Sequence, residues 1–299
     1  MHSSRTESVL LNQHRYHVRH WGEETAPLMV LLHGWMDSSA TFEFLVAALR
    51  RQWHVVAPDW RGFGDSEWNG GSYYSADYLA DLDALLEHYS PHSPVRLAGH
   101  SMGAMIAGLY AGIRPERVAA LMLIEGFGLP DSRPEEAPGR YARWLKERRE
   151  PPHFMPLASI EIVADKLRER NPRLTEERAL WLAAALTRRD EHGQLVYRAD
   201  PRHKMVNPTL YRLREAQACW RKISCPVLWA IGGDMWDHPM AKGVFDTLDI
   251  RRSCFARLGE VKIAAAGHMI QWEQPEALAQ VLETFFLAPD AAVTPAESA

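Results

Sequence analysis

Cysteine is scarce: three residues, Cys219, Cys225 and Cys254, in a chain of 299. An odd number without metal-ligand or redox spacing argues against a disulfide framework or a thiolate metal site and points to reduced thiols in a cytoplasmic protein. No apolar run is long enough to span a bilayer, and residues 1–22 carry scattered His, Arg and Asn with no apolar signal core, so neither membrane nor secretion is expected. Positive charge is not in excess either. A formal net charge of -4 argues against nucleic acid as the main partner. No phosphate-cradling glycine loop, metal-ligand cluster or cofactor fingerprint occurs, so the expected reaction needs no cofactor beyond water.

What is present is an ordinary globular composition, 46% hydrophobic and 24% charged, on a chain long enough for one large domain with an insertion. Short β-rich runs alternate with helix-period stretches. The runs are 16–21, 28–32, 54–57, 95–98, 118–124, 227–231 and 261–265; the helical stretches include 39–50 and 76–89. Such alternation predicts parallel strands joined by crossover helices, and runs apolar on both faces, such as 28–32, predict a sheet covered on both sides.

The alternation stops between about Phe127 and Cys219, where helices are expected over 139–150, 157–170, 176–188 and 209–220, separated by proline-containing breaks. Charge sets this segment apart: residues 129–222 hold 20 Lys and Arg against 14 Asp and Glu, leaving 14 against 24 elsewhere. A helical insertion here lies over the carboxyl ends of the strands, where ligands bind in open α/β sheets, and is placed to act as a lid. The expected organisation is a core of 1–128 and 219–287, a cap of 129–218 and an unordered tail of 288–299, rich in Ala, Pro and Ser.

Gly99-His100-Ser101-Met102-Gly103 stands between an apolar run and a helix-compatible stretch. A Gly-x-Ser-x-Gly pentapeptide at such a junction reads as a nucleophile elbow, a turn that projects a serine hydroxyl above the sheet. Acyl transfer by serine also needs a base, an acid to orient that base, and N–H groups for the oxyanion. His268 follows the run 261–265 and is the best placed of 14 histidines; His100 reads as a packing or hydrogen-bonding residue. For the acid, Asp234 follows Gly232-Gly233 in the order Ser, Asp, His. Glu125 ends the strand after the elbow and is the alternative, and Asp237 competes or caps a helix. The N–H groups of Trp35, after His33-Gly34, and of Met102, at a helix N-terminus, are the oxyanion candidates. Trp35, Met36, Phe127, Trp144, Trp181, Met235 and Trp236 are candidates to line an apolar substrate pocket.

His33-Gly34, Asp59-Trp60-Arg61-Gly62-Phe63-Gly64-Asp65-Ser66, Gly99 to Gly103 and Gly267-His268 together resemble the α/β-hydrolase superfamily. The stretches Leu32 to Ser38 and Asn171 to Glu177 are also similar to the serine hydrolase-like protein group. The resemblance implies an α/β fold with a mostly parallel eight-stranded sheet, helices on both faces and a helical cap inserted after the sixth strand. It implies a Ser-Asp-His triad on Ser101, Asp234 and His268. In many relatives the acid follows Gly-x-x-Asp, whereas Gly232-Gly233-Asp234 is one residue shorter, which keeps Glu125 open.

Serine at the elbow argues against dehalogenase or epoxide-hydrolase chemistry, which uses an aspartate. The expected function is hydrolysis of a small ester with an apolar acyl or aryl group through an acyl-enzyme. The same groups serve carbon–carbon bond hydrolase, lactonase, thioesterase or perhydrolase chemistry. A catalytically silent ligand-binding protein of this fold is the non-enzyme alternative.

Overall fold

A computed structural model describes residues 4–234 and 242–295. Its first part runs β1 (Arg5–Leu11), β2 (His14–Trp21), β3 (Leu28–Leu32), α1 (Glu43–Ala47), β4 (His54–Pro58), α2 (Ser75–Tyr89), β5 (Val95–His100), α3 (Met102–Ile113) and β6 (Val118–Ile124). Between β6 and the next core strand come α4 (Ala137–Arg149), α5 (Ile160–Arg170), α6 (Glu176–Ala185), the hairpin β7 (Thr187–Arg189) and β8 (Leu195–Tyr197), and α7 (Leu213–Trp220). The chain returns through β9 (Val227–Gly232), α8 (Lys242–Phe245), α9 (Leu248–Arg252), β10 (Arg257–Ile263), α10 (Ile270–Glu273), α11 (Pro275–Leu287) and β11 (Thr294–Pro295).

The main sheet has the order β1-β2-β4-β3-β5-β6-β9-β10-β11. Eight strands carry it, with the two-residue β11 at one edge. The pairs from β4 through β10 are parallel, and β1, β2 and β11 join antiparallel. The two-residue period of a strand sorts each run between two cores. On β3, Val30 and Leu32 enter the cluster under α2, α3 and α7, while Met29 and Leu31 enter the one under α1 and α11. On β6, Leu121 and Leu123 face the first cluster, and Met122 and Ile124 the second. This two-sided burial is why these runs contain almost no polar residue.

Three local expectations need correction. The stretch 39–50 is a short 3-10 turn, Ser39–Phe42, followed by the five-residue α1. The inserted segment is not all helical, because Thr187–Arg189 and Leu195–Tyr197 pair as a hairpin; three-residue strands are too short to leave a periodic signal. Within the tail, Pro289–Ala292 form a 3-10 turn and β11 pairs with Arg257 and Leu258, with Ala292 and Val293 packed on the second core cluster.

Among the described residues, no helix is long and apolar enough to cross a membrane. All three cysteines are free thiols.

Candidate active site

The parallel strands end on one rim of the sheet, and Ser101, Glu125, Asp234 and His268 each follow such an end. Ser101 follows β5 and sits at φ 51°, ψ -112°, a conformation that L-residues rarely adopt. Close packing explains the flanking glycines. A Cβ on Gly103 would lie 2.3 Å from the Leu32 carbonyl oxygen, and one on Gly99 would lie 2.4 Å from the Gly103 carbonyl carbon. Strand and helix meet too tightly here for any side chain, which forces the serine outward. Met36, Glu125 and Ala265 also have positive φ, so four such residues stand at strand exits on this rim.

Ser101 Oγ lies 3.1 Å from Nε2 of His268, in the loop between β10 and α10. On the far side of the imidazole, Nδ1 lies 3.4 Å from Oε2 of Glu125. Glu125 follows β6, its side chain is buried, and its other oxygen accepts the Gly232 N–H. Burial raises its pKa above the usual carboxylate value, against the lowering pull of the His268 and Gly232 hydrogen bonds.

Asp234 is placed otherwise. Its N–H donates to the Ala266 carbonyl at 3.0 Å, and its half-exposed carboxylate accepts from the Arg173 guanidinium. Arg173 comes from the turn between α5 and α6, so a cation from the inserted segment takes the carboxylate that the sequence order assigns to His268. The acid facing His268 among the described residues is therefore Glu125. Asp237, Met235 and Trp236 lie outside the described residues.

The histidine loop is held from two sides. His100 Nε2–H donates to the His268 carbonyl at 2.8 Å, and burial keeps the His100 ring neutral by driving its pKa well below the ordinary value. The Gly267 N–H donates to Glu273 Oε2 at 2.5 Å, and Glu273 is buried with its other oxygen 3.9 Å from Arg173. His33 is likewise buried and neutral, its pKa lowered to about 4 by desolvation. Its Nδ1–H donates to the Gly34 carbonyl at 2.7 Å, and Nε2 accepts the Trp60 N–H at 2.8 Å, which fixes the tautomer and the turn ahead of Trp35.

That turn lies against the elbow: a Cβ on Gly34 would be 3.2 Å from the Ser101 Cβ. Met102 opens α3, so its N–H has no partner within the helix. Trp35 and Met102 both line a cavity of about 150 Å³, with Tyr73, Tyr78, His203 and Met205 among its other walls.

The remaining pocket candidates divide. Met36 is half-buried against the core, and Trp144 on α4 donates from its indole to Ser72 Oγ at 2.9 Å, at the cavity's rim. Phe127 does not line it. Only 3% exposed, Phe127 stacks on Trp229, Phe255 and Trp220 at centroid distances of 4.3, 5.2 and 5.8 Å, because its ring turns into the core where β6 and β9 meet α7. Trp181 also faces elsewhere. It packs edge-on to Phe44 and lines a separate cavity of about 440 Å³ with Arg19, Glu43, Asp59 and Arg198. The sequence reading missed Tyr73, Tyr78 and His203. Tyr78 falls on the buried face of α2, where its spacing marks it only as core.

His17, Asp59 and Asp65 bring possible metal-ligand atoms within 4.8 Å of one another. The oxygens of Asp59 are already engaged: Oδ1 takes the Ser39 N–H at 2.6 Å, and Oδ2 takes His17 Nδ1 at 2.8 Å and the Asp65 N–H at 2.9 Å. Burial raises the Asp59 pKa, and these bonds outweigh it, so the carboxylate lies below the usual range. This motif ties loops together.

A strained serine between strand and helix, a histidine on its hydroxyl and a buried carboxylate behind that histidine thus meet at one rim of a mostly parallel α/β sheet. A family model for the alpha/beta hydrolase fold matches residues 27–275, and the chain belongs to that family as a hydrolase. It is 25% identical over 288 residues to a serine hydrolase-like protein of Danio rerio, covering 90% of this chain and 84% of that one. Among solved structures, the thioesterase domain from the curacin biosynthetic pathway matches with a TM-score of 0.80 and 22% identity, covering 94% of this chain and 99% of that one. A novel esterase from Mycobacterium tuberculosis matches with a TM-score of 0.70 and 20% identity over 96% and 92%. At such identities the structural likenesses establish the fold alone.

Proposed function

We propose that the protein is a serine hydrolase that cleaves a small carboxylic ester through an acyl-enzyme, with Ser101 as nucleophile, His268 as base and Glu125 as the acid. The continuous contact from Ser101 Oγ through both nitrogens of His268 to Glu125, at 3.1 and 3.4 Å, carries this reading. Ser101 attacks the ester carbonyl as His268 Nε2 takes its proton. The oxyanion is received by the N–H groups of Met102 and Trp35, with the positive end of α3 behind it. His268 passes the proton to the leaving alcohol, and water repeats the sequence on the acyl-enzyme. The buried Glu125 carboxylate holds the imidazole with Nδ1–H toward it and favours the imidazolium as it forms.

Residues 129–218 act as a cap over a core of 1–128 and 219–287. In support, Arg173 reaches Asp234 and Glu273 beside the histidine loop, and Trp272 of α10 packs into the small core of α5 and α6. Asp234 thus serves cap docking. The esterase and thioesterase titles of the structural neighbours are in keeping with acyl transfer, and the free thiols suit a cytoplasmic location.

The test is Ser101→Ala assayed on p-nitrophenyl acetate, together with fluorophosphonate labelling of the parent. Loss of about 10³-fold or more in kcat, with an adduct on Ser101, is expected. Activity within about tenfold of the parent overturns the assignment.

A further inference from the structure

The cavity beside the elbow opens to solvent and carries one formal charge. Of its described lining residues, Arg202 is the one that is ionised at neutral pH: none is a carboxylate, and burial lowers the His203 pKa to about 3, which leaves that ring neutral. Trp35 and Met102, which supply the oxyanion N–H groups in the serine-hydrolase mechanism, belong to the same wall. In that mechanism the leaving alcohol lies toward His268, which follows β10 and returns its proton. Trp35 follows β3, on the other side of β5 in the sheet, so the arm of the ester that meets the cavity is the acyl arm.

Arg202 is held from behind. Asp200 is fully buried, its Oδ1 accepts the Arg202 backbone N–H at 2.9 Å, and its Oδ2 accepts the Tyr73 hydroxyl at 2.8 Å. The Arg202 guanidinium lies 3.6 Å from Oδ1, an ion pair outside hydrogen-bond reach, and it donates no hydrogen bond among the described residues. With both oxygens turned to other donors, Asp200 orients the guanidinium without occupying its N–H groups. The Arg202 side chain is 35% exposed, so those groups are open to an acceptor from outside the protein.

The turn Pro201–Lys204 that carries Arg202 is fixed. Its His203 ring is sandwiched between Phe63 and Tyr73 at centroid distances of 3.7 Å on both sides. Binding therefore loses little freedom in the wall that presents the charge. Glu147, which meets the wall at the Val206 N–H, is itself paired with Arg143 and does not compete for Arg202.

Building on the serine-hydrolase reading, we infer that the acyl arm of the substrate ends in a carboxylate, bound by the Arg202 guanidinium, with the chain between them crossing the half-exposed Trp35. A planar guanidinium offers a carboxylate two parallel N–H donors. A single cation on the wall balances a monoanion rather than a phosphate dianion.

The experiment measures kcat/KM, after subtraction of spontaneous hydrolysis, for the mono-p-nitrophenyl esters of adipate and suberate against their neutral isosteres, p-nitrophenyl 6-methylheptanoate and 8-methylnonanoate. The parent, Arg202→Met and Arg202→Lys are compared, with ethyl fluorophosphonate labelling alongside. At one chain length or both, the parent is expected to favour the anionic ester by about tenfold or more. That ratio falls toward one in Arg202→Met and is partly kept in Arg202→Lys, and raising the ionic strength from about 0.02 M to about 0.5 M narrows it in the parent. The parent's ratio, its salt dependence and Arg202→Lys decide the matter even where Arg202→Met does not fold. A parent ratio of one or less at both lengths, or a ratio that survives in Arg202→Met, overturns this inference alone while Ser101 is still labelled. Absence of both turnover and labelling in the parent overturns the serine-hydrolase reading with it.

Discussion

The Glu125 carboxylate sits 3.4 Å from Nδ1 of His268, on the side of the ring opposite the bond to Ser101. Asp234, which occupies the expected place in chain order, is instead the partner of Arg173. The two carboxylates are held differently, one behind the imidazole and the other by an arginine of the inserted segment, and each makes a distinct prediction.

Glu125→Gln keeps an acceptor for the Gly232 N–H but removes the charge facing His268. It is expected to lower kcat by about 10³-fold or more, as loss of the acid does in serine triads. Asp234→Asn breaks an ion pair that is half in water and is expected to cost less than about tenfold. Steady-state kinetics of the two variants side by side decide the assignment, and a larger loss in Asp234→Asn reverses it.

Glu273 accepts the Gly267 N–H, one residue before His268. Glu273→Ala leaves that N–H without its acceptor and loosens the loop carrying His268, so kcat is expected to fall about ten- to hundredfold while KM stays within about twofold. Equal changes in both parameters would assign Glu273 to substrate binding instead.

Asp37 is fully buried, and desolvation pushes its carboxyl up to about 7 from an ordinary 3.8. The folded protein therefore keeps this proton where the unfolded chain has released it. The resulting stability is complete below the unfolded pKa and is lost as pH rises through the folded value, at up to about 1.4 kcal/mol per pH unit. Asp37→Asn retains an acceptor for Thr41 and the Ser38 N–H. Urea unfolding between pH 4.5 and 7.5 should show a stability difference that shifts steadily in favour of the variant as pH rises. A constant difference counts against the buried protonated carboxyl.

Gly103→Ala tests the packing of the elbow. The new Cβ would lie 2.3 Å from the Leu32 carbonyl oxygen, so backbone must shift. A loss of about 1–3 kcal/mol is expected, lowering Tm by about 2–4 °C for each kcal/mol. Calorimetry gives the answer, and an unchanged Tm would mean that strand and helix separate at no cost.

The sequence by itself determined the strand-helix alternation, the elbow serine, the histidine after β10 and the turn at His33-Gly34. These are local: a two-residue period, a run of small residues at a junction, a glycine ahead of a loop histidine. Which carboxylate faces His268 among the described residues was decided by tertiary structure, because Glu125, Asp234 and His268 leave three different strands and only the spacing of those strands sets which of the two reaches the ring. Arg173 arrives from the inserted segment, more than 60 residues before the carboxylate it binds. The same holds for the pocket. Phe127 looks like a strand-end aromatic facing a ligand, yet it stacks among Trp220, Trp229 and Phe255. Tyr78 looks like one more core position of a helix, yet it also borders the cavity beside the elbow. Periodicity reports which face of an element is buried. What that face meets depends on elements brought together only by the fold.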